Sequence, residues 1–543
     1  MKLSGPVALL VLAATTSANV LRVPVARISS GAVIGRARHP RLSKRAAFTE
    51  SLVNNITGGG YYASVSVGTP GQALDLVLDT GSSDAFIIAK DADLCEDEIL
   101  QYYYETSCGP TYDPSLSSTY EIVDPDGFLI EYLDGSTASG DYIADTFEIG
   151  GATIDALQMG LAESTIIGTG VLGIGFTSNE ATADEYPNLI DQMLNQSLIP
   201  TRAYSLYLND YASSTGNILF GGVDTEKFIG KLVVVPMIPD ADTQNYTSFQ
   251  VGMTAVSLSF SNGTTYNAAV PGNSLDSILD SGTTLSYLPD DIATPIFDAV
   301  GVYTYVSIDS SDLALVDCDL LSSGLEFTFR FNNVATITVP ADELVIDAFD
   351  QDEIPSRIPF DKTCLFGIQN SGSSTSDDPG VTDYALLGDT FLRSAYVVYD
   401  LDNKQVGLAE ANLNSTKSNV QALSANMTSL PTYTGVAKQE GTSTASVASG
   451  TGTLSLTGSS SFSSSSISRS TLTAVTTSVG TATTASMDIS SSMAATGTST
   501  STSVASSKHN AATRVGRAPG YEGLCGVFAA LVFALSGGIL FWL

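Results

Sequence analysis

Histidine is nearly absent from this 543-residue chain: there are two, His39 and His509. Between them no Ser–His–Asp triad, no Cys–His nucleophile and no His-ligated zinc site is possible. Positive charge is also scarce, with 23 Lys and Arg against 57 Asp and Glu, a net charge of −34. A nucleic-acid partner needs a basic footprint, so none is expected. Tryptophan occurs once, at Trp542. The five cysteines show no CxxC spacing, which removes the usual thiol-rich metal motifs. Acid–base chemistry in the central part of the chain must therefore come from carboxylates.

Both ends read as targeting segments. Residues 1–18 combine Lys2, an apolar run from Val7 to Ala14 and the small residues Thr16, Ser17 and Ala18. That is the pattern of a secretory signal peptide cut after Ala18. Residues 19–45 form a basic propeptide with seven Lys or Arg and no acid, closing on Lys44-Arg45. The dibasic pair reads as a processing site for a secretory convertase, with the mature chain starting at Ala46. The basic segment is expected to lie over the cleft of an acidic body, held by charge. At the far end, Leu524–Leu543 is apolar, with a polar spacer and the small residues Asn510-Ala511-Ala512 before it. This is the form of a GPI-attachment signal. Asn510 is the expected lipid-bearing residue, and 511–543 the part removed. Residues 413–510 are read as a Ser/Thr-rich stalk; 39 of the 70 residues from Gly441 to Asn510 are Ser or Thr. Such a stretch buries too little apolar surface to fold and suits an O-glycosylated spacer. Six N-glycosylation sequons, at Asn55, Asn195, Asn245, Asn262, Asn414 and Asn426, fit an exported protein.

Between these ends lies a body at 46–412, with lobes at about 58–230 and 231–412. Its cysteines are Cys95, Cys108, Cys318 and Cys364. An even number in an oxidising compartment suggests two disulfides; of three pairings, proximity favours Cys95–Cys108 and Cys318–Cys364. Short alternating runs such as Tyr61–Val67, Ala203–Leu208 and Ala395–Tyr399 read as strands. Helical patterning is confined to Tyr186–Asn195 and Pro289–Val300. The class is mostly β.

An internal repeat carries the chemistry. Leu76-Val77-Leu78-Asp79-Thr80-Gly81-Ser82-Ser83 returns as Ser277-Ile278-Leu279-Asp280-Ser281-Gly282-Thr283-Thr284. Each copy has a later partner, Val171-Leu172-Gly173-Ile174-Gly175 and Leu386-Leu387-Gly388-Asp389-Thr390. An apolar strand delivers each Asp to a floor between two lobes. Gly81 and Gly282 let the backbone turn tightly and aim N–H groups at the carboxylates. Ser82 and Thr283 can donate to the outer oxygens, and Thr80 and Ser281 can brace one turn against the other. Two carboxyls this close share one proton, which gives a base for water and an acid for a carbonyl oxygen. No metal or organic cofactor is required.

These residues resemble the pepsin-like aspartic endopeptidases over about residues 58–412. The segments Leu387–Asp402 and Gly216–Asp224, with the Ser/Thr-rich, GPI-signalled end, look like the fungal yapsin branch. The resemblance implies a bilobal fold with the cleft between two pseudo-symmetric lobes, Asp79 and Asp280 as catalytic pair, protein or peptide substrates, and a monomer. It implies a flap hairpin over Phe128–Ser136, with Tyr132 covering the substrate and Asp134, Gly135 and Ser136 at the tip. Leu133 stands where the family usually has Gly, and Phe86 where it has a tryptophan that supports the flap tyrosine. Asp134, with Glu96, Asp97, Glu98 and Glu105 in the Cys95–Cys108 loop, points to cationic side chains at the cleavage site. The competing reading is an inactive, protease-like binding protein of the cell wall; the two intact turns speak against it.

Overall fold

Tyr61–Val67 alternates in the structure as it does in sequence, with Tyr61, Ala63, Val65 and Val67 buried and Ser64 exposed. This computed structural model describes residues 20–27 and 60–438, apart from 105, 214, 242, 307–311, 350, 352–353, 355 and 373–383, and the backbone of 512–513. The signal peptide, Lys44, Arg45, Asn55, the chain from 439 to 511 and the apolar tail lie outside the described residues.

The fold is mostly β and bilobal. Ten strands take the first lobe to its end: β1 (Leu21–Arg27), β2 (Tyr61–Val67), β3 (Gln72–Asp79), β4 (Ala85–Ile88), β5 (Glu121–Tyr132), β6 (Thr137–Ile149), β7 (Ala152–Thr165), β8 (Val171–Gly173), β9 (Ala203–Tyr207) and β10 (Thr215–Phe220). β3 runs parallel to β8, pairing Leu78 with Leu172 and Asp79 with Gly173. In the second lobe Leu275–Leu279 runs parallel to Ala385–Leu387, pairing Ile278 with Leu386 and Leu279 with Leu387. The sequence repeat is thus a repeat of one β arrangement. Each partner strand also pairs antiparallel with the strand that follows its Asp turn, β4 in one lobe and Ser286–Leu288 in the other. Leu78 and Leu279, the residues just before each Asp, are fully buried; each contributes roughly 2 kcal/mol by leaving water. The lobes meet on antiparallel strands in the order Phe228–Pro236, Gln405–Ala411, Ala395–Asp400, β9, β10 and β1.

The basic N-terminal segment enters this sheet. Leu21–Ala26 pairs with Phe220–Thr215, and Val25–Arg27 with Ala63–Tyr61. Val23 and Val25 are buried. Arg22 bonds Asp224 at 2.5 Å and Ser418 Oγ at 2.8 Å. Arg27 donates to the Tyr211 carbonyl and lies 3.9 Å from the centre of its ring. The described part of this segment is a strand of the interlobe sheet and not a cover over the cleft, because its apolar alternation is satisfied in register with β10.

The other difference is at the stalk. Residues 413–438 pack on the body: Val420–Ala422 pairs with Gly222–Asp224, and Leu423 and Leu430 are buried with Phe228 and Tyr396. The helix expected from Tyr186 starts at Leu189, where Asn188 caps it by accepting from the N–H groups of Ile190 and Asp191. The second helix spans Asp290–Val300. Two disulfides join Cys95 to Cys108 and Cys318 to Cys364. Asn195, Asn245, Asn262, Asn414 and Asn426 are exposed.

Candidate active site

The ends of the two equivalent strands bring Asp79 and Asp280 together on a buried floor, at 3% and 1% exposure. The glycines measure their closeness. A β-carbon on Gly81 would lie 2.6 Å from the Asp280 carboxyl carbon, and one on Gly282 would lie 2.3 Å from Asp79 Oδ1. Each glycine of one turn therefore faces the carboxyl of the other, and no side chain fits at either position.

Hydrogen bonds repeat across the pseudo-dyad. The Gly81 N–H donates to Asp79 Oδ1 at 2.7 Å, and the Gly282 N–H to Asp280 Oδ1 at 2.8 Å. The Ser82 hydroxyl donates to Asp79 Oδ2, and the Thr283 hydroxyl to Asp280 Oδ2 at 2.7 Å. Behind the carboxyls, the Thr80 hydroxyl donates to the Leu279 carbonyl at 2.9 Å and accepts from the Ser281 N–H at 2.9 Å. The Ser281 hydroxyl donates to the Leu78 carbonyl at 2.8 Å. The eight residues expected from the repeat form one constellation that crosses between the lobes.

Burial, and then the charge of Asp280, push the Asp79 carboxyl well above the usual carboxylate value. The bonds from Ser82 and Gly81 act in the opposite direction but are outweighed. A buried pair of this kind holds one proton in common, so one member can act as base and the other as acid at the same pH.

The segment expected to be the flap is the β5–β6 hairpin. Its tip turns at Leu133–Gly135, where Gly135 has φ +78° and its N–H donates to the Tyr132 carbonyl at 3.0 Å. Asp134 is exposed, and its Oδ1 accepts from the Ser136 N–H at 2.9 Å and hydroxyl at 2.6 Å. Burial and the charge of Asp134 raise the hydroxyl of Tyr287, on the second lobe, to about 12. Tyr132 packs on a cluster of Phe86, Phe128 and Tyr142, and its hydroxyl is buried with Ser82 beside it. Burial and the charge of Asp79 raise that hydroxyl far above its ordinary value. In the Cys95–Cys108 loop Glu96 and Glu98 are exposed, while Asp97 caps the short helix Glu98–Tyr103.

Three residues near the pair were not legible as site residues. Asn179 donates from Nδ2 to the Gly81 carbonyl at 3.2 Å. Asp84 is fully buried just beyond the first turn. Asp389, in the second partner element, is fully buried with neither oxygen hydrogen-bonded among the described residues, and burial raises it well above its ordinary value against the pull of Arg393. For Asp389 the only sequence signal is its place beside Gly388 in the repeat.

Residues 60–411 match the family described as eukaryotic aspartyl protease. The chain is 42% identical over 386 residues to a protein named probable aspartic-type endopeptidase opsB from Aspergillus fumigatus, covering 69% of this chain and 74% of the relative. It is 38% identical to a protein named acid protease from Saccharomycopsis fibuligera, covering 69% and 87%. It is 33% identical to candidapepsin-3 from Candida albicans, covering 70% and 86%.

Proposed function

The chain belongs to the eukaryotic aspartyl protease family and is an aspartic-type endopeptidase, and from that premise we propose that Asp79 and Asp280 are its catalytic pair, that it works at the cell surface, and that it prefers basic side chains at the bond it cuts. The observation that carries the catalytic assignment is the reciprocal approach of each turn glycine to the other turn's carboxyl.

The reaction follows from the shared proton. The ionised carboxyl takes a proton from a water molecule, and the water oxygen bonds to the carbonyl carbon of the scissile peptide. The protonated carboxyl gives its proton to the carbonyl oxygen. The tetrahedral intermediate then collapses: the departing nitrogen takes a proton from one carboxyl, the C–N bond breaks, and one hydroxyl of the intermediate returns its proton to the other carboxyl, which re-forms the C=O and restores the shared proton. Bonds from Gly81, Ser82, Gly282 and Thr283 hold both carboxyls in place while the proton moves. Protein and peptide segments are the substrates, with the flap closing over them.

The surface role rests on sequence: the signal peptide, the Lys44-Arg45 site for a convertase, the stalk and the GPI signal that follows Asn510. A relative named secreted aspartic protease 3 supports the secretory route. The basic preference rests on Asp134, exposed at the flap tip, with the exposed Glu96 and Glu98 of the Cys95–Cys108 loop. A Lys or Arg placed there would make a charge-assisted bond. Asp134→Asn keeps the oxygen that caps the turn but removes the charge. Against matched peptides with Lys or Leu before the cleaved bond, the Lys-over-Leu ratio in kcat/KM is expected to fall about tenfold, as for the loss of one charged hydrogen bond. An unchanged ratio refutes the role of Asp134 and leaves the endopeptidase assignment standing.

A further inference from the structure

The strand that leaves the Asp79 turn carries a carboxylate that the reaction does not use. Asp84 is fully buried, five residues after Asp79. Its Oδ1 accepts from the hydroxyls of Tyr142 and Tyr186, both at 2.8 Å, and its Oδ2 accepts from the Ala181 N–H at 2.7 Å. Its backbone is fixed as well: the Gly173 N–H donates to the Asp84 carbonyl at 3.1 Å, and a β-carbon on Gly173 would sit 2.5 Å from that oxygen. A buried carboxylate is costly unless several donors satisfy it, so its partners are held with it.

Those partners belong to parts that must move or stay in register over the cleft. Tyr142 stands on β6, the second arm of the flap hairpin. Its ring meets Phe128 of the first arm edge-on at 5.4 Å, and Phe128 meets Phe86, two residues beyond Asp84, at 5.6 Å. Gly160 of β7, paired with Tyr142, makes room for this stack; a β-carbon there would strike the Phe128 ring at 2.7 Å. Tyr132 packs on the same cluster. Opposite Tyr142 the hairpin is irregular: Asp124 pairs with Tyr142 and Phe128 with Gly140, so four steps on one arm answer two on the other. Asp126 in that bulge has φ +54°. A bulge bends a hairpin at a fixed place, and the Asp84–Tyr142 bond lies across from the bend.

We propose that Asp84 is the positioning residue of the flap: through the Tyr142 hydroxyl it pins the base of the hairpin to the segment that carries Asp79, and so sets where Tyr132 and the tip come down on bound substrate. Phe86 has no N–H with which to hold a flap side chain, and the carboxylate two residues earlier performs that task from below. The bonds to Tyr186 and Ala181 serve a different end. They anchor the segment whose Asn179 supports the Gly81 carbonyl, and they keep the carboxylate in place. The inference rests on the endopeptidase activity and not on the preference for basic residues.

The two tyrosines separate positioning from mere stability, because each gives one bond to the same oxygen. Tyr142→Phe and Tyr186→Phe keep the rings and remove one hydroxyl each. The measurements are kcat and KM for a peptide the wild type cleaves, well below the melting temperature, together with the melting temperature itself. Tyr142→Phe is expected to raise KM about fivefold with kcat within about twofold, the effect of one hydrogen bond lost from flap closure. Tyr186→Phe is expected to leave both constants near wild type, with a similar fall in melting temperature. Equal kinetics in the two variants, with only stability changed, overturns the proposal. If Tyr142→Phe does not fold, Asp84→Asn decides: its neutral amide accepts more weakly from Tyr142 and turns a donor toward the Ala181 N–H, so a KM raised by about fivefold with kcat within about twofold supports the proposal, and kinetics equal to wild type overturn it.

Discussion

Glu180 shows how far a residue's chemistry departs from its appearance in sequence. It follows the polar run Thr177-Ser178-Asn179, yet it is fully buried. One of its oxygens accepts from the Tyr186 N–H at 2.9 Å and the other has no partner among the described residues. Burial, with the charges of Asp84, Asp191 and Glu185 behind it, pushes its carboxyl up to about 9 against the pull of the Tyr186 bond. An unfolded glutamate releases its proton near 4.5. Between that pH and about 9 the folded protein holds a proton that the unfolded chain has lost, so stability falls as pH rises through the window. Glu180→Gln carries no such proton. Its melting temperature relative to wild type should be several degrees more favourable at pH 8 than at pH 4, by thermal scans at both values. Equal differences at the two pH values would contradict the buried, protonated Glu180. The dyad itself was legible because Asp-Thr-Gly-Ser and Asp-Ser-Gly-Thr occur once in each half of the body. Glu180, Asp84 and Asp389 were not, because their burial comes from segments distant in sequence.

At the scale of elements, alternation served well where one face of a strand is buried, as in Tyr61–Val67, and failed where composition suggested something else. Leu21–Arg27 alternates too, but its arginines drew attention to charge. The structure uses both properties, burying Val23 and Val25 and tying Arg22 to Asp224. Residues 413–438 merge in sequence with the Ser/Thr-rich stretch beyond. Leu423 and Leu430 nevertheless fill buried sites beside Phe228 and Tyr396, with Met427 and Tyr433 packed on the same cluster. Asp224 adds polar ties, accepting from the Ser418 hydroxyl at 2.8 Å and the Asn419 N–H at 2.7 Å. Leu423→Ala should cost about 2–5 kcal/mol, the range for a truncated core leucine. Urea denaturation of the purified protein measures it. A loss below about 0.5 kcal/mol, the level of an ordinary surface substitution, would show that the segment is not a working part of the body.

On the scale of the whole molecule, the two lobes are copies of one plan, and each delivers one aspartate of the buried pair. The Thr80 hydroxyl donates to a carbonyl of the second lobe, and the Ser281 hydroxyl donates to one of the first. This exchange keeps two carboxyls close enough to share a proton. Bilobal architecture was legible from the duplicated strand–turn–strand pattern alone; the interlobe sheet was not, because its pairings join residues up to 200 positions apart, as Asp400 with Ala203. The central claim is that neither lobe can act without the other's aspartate. It is tested most directly by kcat for Asp79→Asn and Asp280→Asn, each purified free of other proteases and shown by circular dichroism to be folded. The account predicts a loss of at least about a thousandfold in both, because an amide can neither take a proton from water nor share one with its neighbour. If either variant cleaves peptide at a rate within about tenfold of wild type, the two-carboxyl mechanism is wrong.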